Sequence, residues 1–173
     1  MHLSRRQLIV SSLALVACHP ANGAPTGPEP EPGIGDLPAA PASVVAITRT
    51  DAEWKQLLSA DAYRVLRKQG TEMAFSGRYW DEHRAGRYDC AGCGLALFTS
   101  TDKFESGTGW PSFTRAVADG RVSVATDASL GMVRDEVSCA RCGGHLGHVF
   151  DDGPPPTGKR YCMNSVSLVF RPA

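Results

Sequence analysis

Cys162 lies in the segment RYCMN near the end of the chain and has no second cysteine close to it in the sequence. Arg160 precedes it by two residues, and a guanidinium at that distance favours the thiolate, which is the nucleophilic form of cysteine. A buried structural thiol would need no such neighbour. The residues favour a reactive nucleophile, with the structural thiol as the alternative.

Two histidines that precede Cys162 in the chain could act as its acid–base partners. The segment GGHLGHVF places His145 and His148 three residues apart among glycines. Histidine holds or donates a proton near neutral pH, so the pair is favoured as acid–base partners of Cys162 over simple exposed residues. A catalytic metal bound by His145, His148 and Cys162 is an alternative, although the sequence offers no further ligand at an expected spacing.

Four other cysteines form two C-x-x-C pairs, each followed by glycine: Cys90 with Cys93, and Cys139 with Cys142. Two such turns supply the four sulfurs of a tetrahedral zinc site. Four sulfur ligands leave no open coordination position, so one structural zinc ion per chain is predicted. Disulfides within or between the pairs are the main alternative in an exported protein, and rubredoxin-like iron is another.

Trp110 lies in a Gly-Trp-Pro turn within FESGTGWPSF. A tryptophan fixed in a glycine-rich loop makes a rigid wall for a small apolar group. A core position for Trp110 is the simpler alternative, and the unusual turn favours the wall.

The N-terminal region predicts export. Residues 1–17 combine a basic start with a short apolar run, as signal peptides do, and a short buried helix is the less favoured interpretation. LVAC resembles a bacterial lipobox with Cys18 as the acylated residue, and SRRQLIV resembles the twin-arginine export motif, which leaves twin-arginine and general export both open. We expect a lipid-anchored protein of the bacterial cell envelope, facing the periplasm.

The segment 18–43 is rich in proline and glycine and predicts a tether, so the folded domain is expected over residues 44–173. Lys plus Arg and Asp plus Glu both number 18, which gives no electrostatic reason to expect nucleic-acid binding. Apolar runs are too short for a membrane span, so membrane contact is expected only through the N-terminal lipid anchor.

Two short helices are predicted at the start of the domain. The first begins at Thr50, where Glu53 completes a capping-box spacing, and the second begins at Ser59 and stops at Gly70. The side chains expected to face inward are those of Trp54, Leu57, Leu58, Tyr63 and Leu66.

Beyond residue 70, glycines and turn residues separate short runs that are typical of strands. The runs are RYDC, ALF, RVSVAT, GMVRDEVSC, HVF and SVSLVF. They predict a β-rich body of short antiparallel strands that follows the helices.

Three long segments resemble B-type methionine sulfoxide reductases, the methionine-R-sulfoxide reductases: GTEMAFSGRYWDEHRAGRYDCAGCGLALF, FESGTGWPSF and CGGHLGHVFDDGPPPTGKRYCMNSVSLVF. The resemblance covers about residues 50–171. It implies a mainly β fold of two packed antiparallel sheets with bound zinc. It also implies reduction of the R epimer of methionine sulfoxide, free or in oxidised proteins, which is a repair reaction after oxidative stress.

The resemblance also implies roles for individual residues. Cys162 matches the family's catalytic cysteine, which would become a sulfenic acid, while His145 or His148 would deliver a proton. Asn164 matches an active-site asparagine. Trp110 matches the tryptophan that houses the substrate's S-methyl group. Arg160 and Asp152 match polar residues that border the pocket, and Cys90, Cys93, Cys139 and Cys142 match the zinc ligands.

The sequence departs from many relatives at Thr108, where they carry a second cysteine that resolves the sulfenic acid. The resemblance therefore implies recycling by an external thioredoxin-like thiol. We expect the chain to be a monomer. If Cys18 were not acylated, it could instead act as a resolving thiol, because the 18–43 tether is long enough to reach Cys162.

Two other protein classes could account for some of these residues. A zinc-ribbon binding module would need only the four paired cysteines, and a metal-dependent hydrolase would use His145 and His148 as ligands. Neither class needs the segments RYCMNS and GWPSF, so both are less favoured than the reductase.

Overall fold

The computed structural model of the chain describes residues 44–128 and 133–173. The expected signal peptide (1–17), the expected tether (18–43) and Cys18 lie outside the described residues. The described residues therefore belong to the expected folded domain, 44–173.

Two short helices open the described part of the chain, α1 (Asp51–Leu57) and α2 (Ala60–Lys68). The capping box at the start of α1 is present: the Thr50 amide donates to Glu53 at 2.7 Å, and the Glu53 amide donates back to the Thr50 hydroxyl at 3.3 Å. Ser59 caps α2 by accepting a hydrogen bond from the Ala62 amide. Both predicted helix starts are confirmed.

Two details of the helices differ from the prediction. Leu57 is 57% exposed and does not face inward, because α1 spans only seven residues and buries the narrow face that carries Trp54. The left-handed residue that ends α2 is Gln69, with φ of 52°, and not Gly70. The Gly70 amide then donates a hydrogen bond to the Arg64 carbonyl. The expected glycine therefore still pairs with one of the last carbonyls of the helix, one position after the left-handed residue.

The strands of the described residues form two antiparallel sheets. In chain order they are β1 (Gly86–Cys90), β2 (Ala96–Thr99), β3 (Lys103–Phe104), β4 (Ser112–Phe113), β5 (Val122–Asp127), β6 (Arg134–Cys139), β7 (His145–Phe150), β8 (Arg160–Met163) and β9 (Leu168–Pro172). The small sheet has the order β2-β1-β9, and the large sheet has the order β3-β4-β8-β7-β6-β5.

Aromatic rings from both sheets fill the space between them. Phe98 of the small sheet stacks on Phe113 of the large sheet with ring centroids 4.5 Å apart, and Tyr88 meets Phe113 edge-on at 5.0 Å. All three side chains are buried. The predicted fold class, mainly β with two packed antiparallel sheets and short N-terminal helices, is confirmed.

One predicted strand is partly wrong. Within SVSLVF, only the last part is a strand, because Ser165–Ser167 form a single 3-10 turn before β9. The buried carboxylate of Glu72 accepts hydrogen bonds from the amides of Ser165 (2.5 Å) and Val166 (3.2 Å), which satisfies the donors at the start of that turn. A contact between residues 72 and 165 has no local sequence signal.

Within the residues described, none of the helices combines the length and the apolar character needed to cross a membrane.

Candidate active site

Strand register brings the candidate chemical groups onto one face of the large sheet. Cys162 of β8 pairs with Ser112 of β4 on one side and with His148 of β7 on the other, and His148 pairs in turn with Glu136 of β6. Directly opposed residues of an antiparallel sheet project to the same face. Four adjacent strands therefore present these side chains in one row.

A β-bulge adds His145 to the same face. In a regular strand, residues three apart point to opposite faces, so His145 and His148 would be separated. The pairing of β6 with β7 shifts at Val137 and Ser138, which leaves Leu146 as an extra residue in β7 and restores the pairing of Ser138 with His145. As a result the two imidazole rings meet edge-on, with centroids 5.4 Å apart.

Gly147 allows β7 and β8 to approach closely beside Cys162. A Cβ atom at position 147 would lie 2.1 Å from the Cys162 carbonyl oxygen. Any larger residue would therefore push β7, which carries both histidines, away from the cysteine strand. Glycine at this position follows from the backbone contact and not from a turn.

A cavity of about 130 Å³ opens beside Cys162. Its walls include Cys162, His148, Trp110 and Asn164, together with the apolar ring of Phe150. Trp110 is fixed by its indole N–H, which donates to the Glu72 carbonyl at 3.2 Å. The indole thus forms a wall of the cavity.

The two histidines contact different carboxylates. His148 places Nε2 3.1 Å from Asp127 Oδ2, and the same carboxylate oxygen accepts a hydrogen bond from Arg134 at 3.0 Å. His145 places Nδ1 2.7 Å from Glu136 Oε1. Each contact fixes the orientation of one ring.

The two histidines also differ in how deeply they are buried. His145 is 3% exposed, and burial lowers the pKa of its imidazole, while the Glu136 carboxylate opposes that shift. The neutral ring is therefore favoured for His145 at neutral pH. His148 forms part of the cavity wall, and its ring packs against that of His145.

The Cys162 thiol is partly shielded from water. Burial raises its pKa, and this effect is opposed by hydrogen bonding from Thr108 and by the positive charge of Arg160. The Thr108 hydroxyl oxygen lies 3.9 Å from Cys162 Sγ. The thiolate of Cys162 thus depends on these neighbours for stabilisation.

Asn164 lies at the cavity with its side-chain amide held on both sides. Its Oδ1 accepts from the Glu72 amide at 2.9 Å, and its Nδ2 donates to the Leu146 carbonyl at 3.0 Å. The side chain is buried. Asn164 therefore ties the Glu72 segment to the bulged residue of β7 at the edge of the cavity.

Arg160 and Asp152 form a two-bonded ion pair, with Nε and one terminal nitrogen of the guanidinium each 2.8 Å from a carboxylate oxygen. The guanidinium lies over the ring of Phe150 at 4.4 Å. The hydrogen bonds from Arg160 lower the pKa of Asp152, which is itself exposed. Arg160 thus lies at the border of the site beside Phe150. Asp152 contacts Arg160 and does not line the cavity itself.

The four paired cysteines come together as a second site, the cysteine cluster (Cys90, Cys93, Cys139 and Cys142). All four sulfurs lie within 4.8 Å of one another, with Cys90 and Cys142 at 3.7 Å and Cys93 and Cys139 at 3.5 Å. A tetrahedral zinc ion with Zn–S bonds of about 2.3 Å requires sulfurs about 3.8 Å apart. A disulfide requires about 2.05 Å. The donor set fits a metal ion and not a pair of disulfides.

The ionisation of the four thiols also favours the binding of a cation by the cysteine cluster. Hydrogen bonding, first from Cys139, lowers the pKa of Cys142, whereas hydrogen bonds from the neighbouring thiols raise the pKa of Cys90 and Cys93. Four packed thiols cannot all ionise without a compensating positive charge, and a divalent metal ion supplies that charge.

The cysteine cluster also shapes the strand that carries the histidines. Its second half forms the turn between β6 and β7, in which the Gly143 amide donates to the Cys139 carbonyl and Gly143 has φ of 65°. Arg67 of α2 donates to the Cys142 carbonyl at 3.0 Å. Because His145 follows this turn directly, the cluster and α2 fix where β7 begins.

Comparison with known proteins places the fold in a family. Residues 58–172 match the SelR domain, which is more than half of the chain. The chain belongs to the B-type methionine sulfoxide reductase family. It is 60% identical over 124 residues to the peptide methionine sulfoxide reductase MsrB of Thiobacillus denitrificans, covering 72% of this chain and 94% of that protein.

Other B-type methionine sulfoxide reductases show a similar likeness. The MsrB of Leptospira interrogans is 54% identical over 125 residues, covering 72% of this chain and 95% of that protein. The MsrB of Methanosarcina barkeri is 55% identical over 126 residues, covering 73% of this chain and 89% of that protein. The family expected from the sequence is confirmed.

Sequence reasoning missed the carboxylates that support the site of this B-type reductase. Glu72 lies inside a segment that carried the family resemblance but was given no role. Asp127 and Glu136 lie on strands, where charged residues ordinarily face solvent. The sequence signal that could have revealed Glu136 is its position three residues before Cys139. The turn at this cysteine pair folds β7 back onto β6, which brings Glu136 close to the histidines of β7.

Proposed function

We propose that this chain reduces the R epimer of methionine sulfoxide, free or within proteins, with Cys162 as the nucleophile. The observation that supports this most directly is the joint placement of Cys162 and His148, paired across β7 and β8, in one cavity with Trp110. The chain's place among B-type methionine sulfoxide reductases supports the same substrate class.

The cavity suits a small apolar group attached to a polar sulfoxide. Trp110 and Phe150 offer apolar surface, while His148 and Cys162 offer a proton and a nucleophile. The S-methyl group would pack against the Trp110 indole. With the methyl group fixed there, the R epimer would direct its oxygen toward His148, and the S epimer would direct it away.

In the proposed reaction the Cys162 thiolate attacks the sulfoxide sulfur while His148 transfers a proton to the sulfoxide oxygen. The bond formed between Cys162 Sγ and the methionine sulfur then breaks, together with the sulfoxide S–O bond, as the protonated oxygen moves to Cys162 Sγ, which leaves methionine and a Cys162 sulfenic acid. The methionine sulfur gains two electrons, and Cys162 loses two.

His148 is the better proton donor of the two histidines. It lines the cavity, whereas the buried His145 favours the neutral ring and lies against Glu136. His145 would act as a support that holds the His148 ring in place. Asn164 and Arg160 would help to shape the cavity around the reacting atoms.

An external thiol reductant would complete the cycle. One thiol of a thioredoxin-like protein attacks the Cys162 sulfenic acid and releases water, and its second thiol then breaks the mixed disulfide. Thr108, beside Cys162, carries a hydroxyl and cannot form a disulfide. Cys18 as an alternative resolving thiol lies outside the described residues.

The cysteine cluster would hold one zinc ion with a structural role. All four ligands are sulfur, so the ion would stabilise the fold and the turn that precedes His145. We also propose that the working unit is a monomer.

For the N-terminal region we propose export and acylation at Cys18, on the lipobox-like LVAC segment alone. The anchored domain would then work at the bacterial envelope. Mass spectrometry of the N-terminal peptide of protein isolated from bacterial membranes should show an acylated Cys18. An unmodified N-terminus upstream of Cys18 would contradict the proposal.

Replacing His148 with asparagine tests the proton-donor assignment. We expect kcat for the R epimer to fall by about 10²–10⁴-fold, with a smaller change in KM, because the ring acts in the reaction more than in binding. The matched control is His145→Asn, which should reduce thermal stability more and kcat less. A larger loss of kcat in the His145 variant, with both variants folded, would reverse the assignment.

A further inference from the structure

A row of hydroxyl groups lies beside the Cys162 sulfur. The Ser112 hydroxyl lies 2.8 Å from the Ser106 hydroxyl, which lies 2.8 Å from the Thr108 hydroxyl. The Thr108 hydroxyl in turn lies 3.9 Å from Cys162 Sγ. The row thus connects β4 with the glycine-rich loop that leads to Trp110 and ends at Cys162 of β8, the neighbour of β4 in the large sheet.

The hydrogen-bond partners favour one direction of donation along this row. The Ser106 oxygen accepts from the Thr108 amide at 3.4 Å, and it lies 2.8 Å from the Ser112 hydroxyl, which also has the Trp110 carbonyl as an acceptor at 3.2 Å. The hydrogen of the Ser106 hydroxyl is then available to the Thr108 oxygen. With that oxygen acting as an acceptor from Ser106, the Thr108 hydrogen is left to point at Cys162 Sγ.

The loop backbone holds Thr108 in this position. The glycines on both sides have left-handed backbones, with φ of 71° at Gly107 and 87° at Gly109. The Gly109 carbonyl also accepts from the Phe75 amide at 2.8 Å, and a Cβ at position 109 would lie 2.7 Å from that amide nitrogen. The loop conformation therefore depends on glycine on both sides of Thr108.

We propose that the Thr108 hydroxyl is a further catalytic group, which donates a hydrogen bond to the Cys162 thiolate and keeps it ready before substrate binds. The proposal rests on Cys162 being the nucleophile of the proposed function. It assigns a positive role to the threonine itself, and it makes Ser106 a positioning residue that acts through Thr108.

The surroundings of Cys162 explain why such a donor matters. Arg160 faces the sulfur from β8 and His148 from β7, while β4 contributes the neutral hydroxyl of Ser112. Burial raises the pKa of Cys162, and hydrogen bonding from Thr108 is the first effect that opposes this rise, together with the charge and a hydrogen bond of Arg160 and a hydrogen bond from Ser112. Arg160 also divides its charge between the sulfur and the Asp152 carboxylate. Within the described residues, the Thr108 hydroxyl contacts the Ser106 hydroxyl and the Cys162 sulfur and no carboxylate.

The test is the rate at which iodoacetamide alkylates Cys162 in the full chain, followed by mass spectrometry of the Cys162 peptide from pH 6 to pH 10. Alkylation reports the thiolate directly and needs no turnover. Thr108→Val keeps the shape of the side chain and removes the hydroxyl. We expect the rate at neutral pH to fall by about tenfold, because loss of the hydrogen bond raises the pKa of the thiol and leaves less thiolate. Thr108→Ser should stay within about twofold of the native chain.

Two further variants complete the design. Thr108→Ala also lacks the hydroxyl, and its Cys162 should be alkylated as slowly as that of the valine variant. Agreement between the two variants shows that the slower rate does not come from a folding defect caused by valine. Thr114→Val is the matched control, because it removes a hydroxyl that bonds the Asp102 carbonyl on the β3 side, and it should leave alkylation unchanged.

Native-like profiles for both the valine and the alanine variants would overturn the proposal. So would a serine variant that is as slow as the valine variant, since the loss would then follow shape and not the hydroxyl. This test can be separated from the test of the proposed function. If the Cys162 thiolate depended on Thr108 but the chain did not reduce methionine sulfoxide, only the proposed function would be contradicted.

Discussion

Cys162→Ser is expected to abolish methionine sulfoxide reduction, with kcat/KM lower by on the order of 10⁴-fold or more. A serine hydroxyl does not ionise near neutral pH and cannot accept the sulfoxide oxygen as a sulfenic acid. Cys162 is also the one described cysteine outside the cysteine cluster, so it has no substitute within the cavity. The assay is turnover of the R epimer with dithiothreitol as the reductant.

The Cys162→Ser protein should otherwise resemble the native chain. Its backbone pairing to Ser112 and His148 does not involve the sulfur, and serine fits the same space. We therefore expect an unchanged metal content and a melting temperature within a few degrees of the native value. Turnover that survives the substitution in a folded protein would return Cys162 to the role of a structural thiol.

Cys90→Ser is expected to have the largest effect on stability. Cys90 is buried at the end of β1, and its sulfur lies 3.7 Å from that of Cys142. Removing one ligand weakens metal binding, which contributes about 10–16 kcal/mol of apparent binding free energy at structural zinc sites near neutral pH. We expect a chain that holds little metal and unfolds many degrees below the native protein. Metal analysis and thermal unfolding measure the two effects.

The control for Cys90→Ser is Cys162→Ser, which removes a thiol outside the cluster and should keep one metal ion per chain. Activity should fall together with the metal, because the turn that precedes His145 is part of the cluster. A native chain that contains no metal when isolated, and a Cys90 variant of unchanged stability, would contradict the zinc assignment.

Local features of the fold could be predicted from the sequence. The starts of α1 and α2 depend on Thr50, Glu53 and Ser59, whose side chains bond amides only three residues away. The left-handed end of α2 at Gln69 was missed because a downstream glycine is the commoner choice at that position. Leu57 was placed inward by helical spacing, but a helix of seven residues buries only one narrow face.

The site was predictable in part. The motifs identified Cys162 and both histidines, because these residue types lie in short distinctive segments. Their common face could not be derived, since a regular strand would separate His145 from His148 and the bulge at Leu146 depends on pairing with β6. Strand pairing joins residues far apart in the chain, and a single sequence does not state its register.

The supporting carboxylates show the same limit. Glu136 reaches His145 and Asp127 reaches His148 only after β5, β6 and β7 have paired. Glu72 contacts the turn at Ser165, 93 positions along the chain. Such contacts follow from the assembled sheets, whereas the chemistry of the cysteine and its histidines is visible in the residues themselves.

The most direct measurement of the central claim is a single turnover of the native chain without reductant. The protein is mixed with the R or the S epimer of methionine sulfoxide in the presence of dimedone, and Cys162 is examined by peptide mass spectrometry. We predict one methionine released per chain and a dimedone adduct on Cys162 with the R epimer alone. An adduct on another cysteine, equal reaction with both epimers, or methionine release without oxidation of Cys162 would contradict the account.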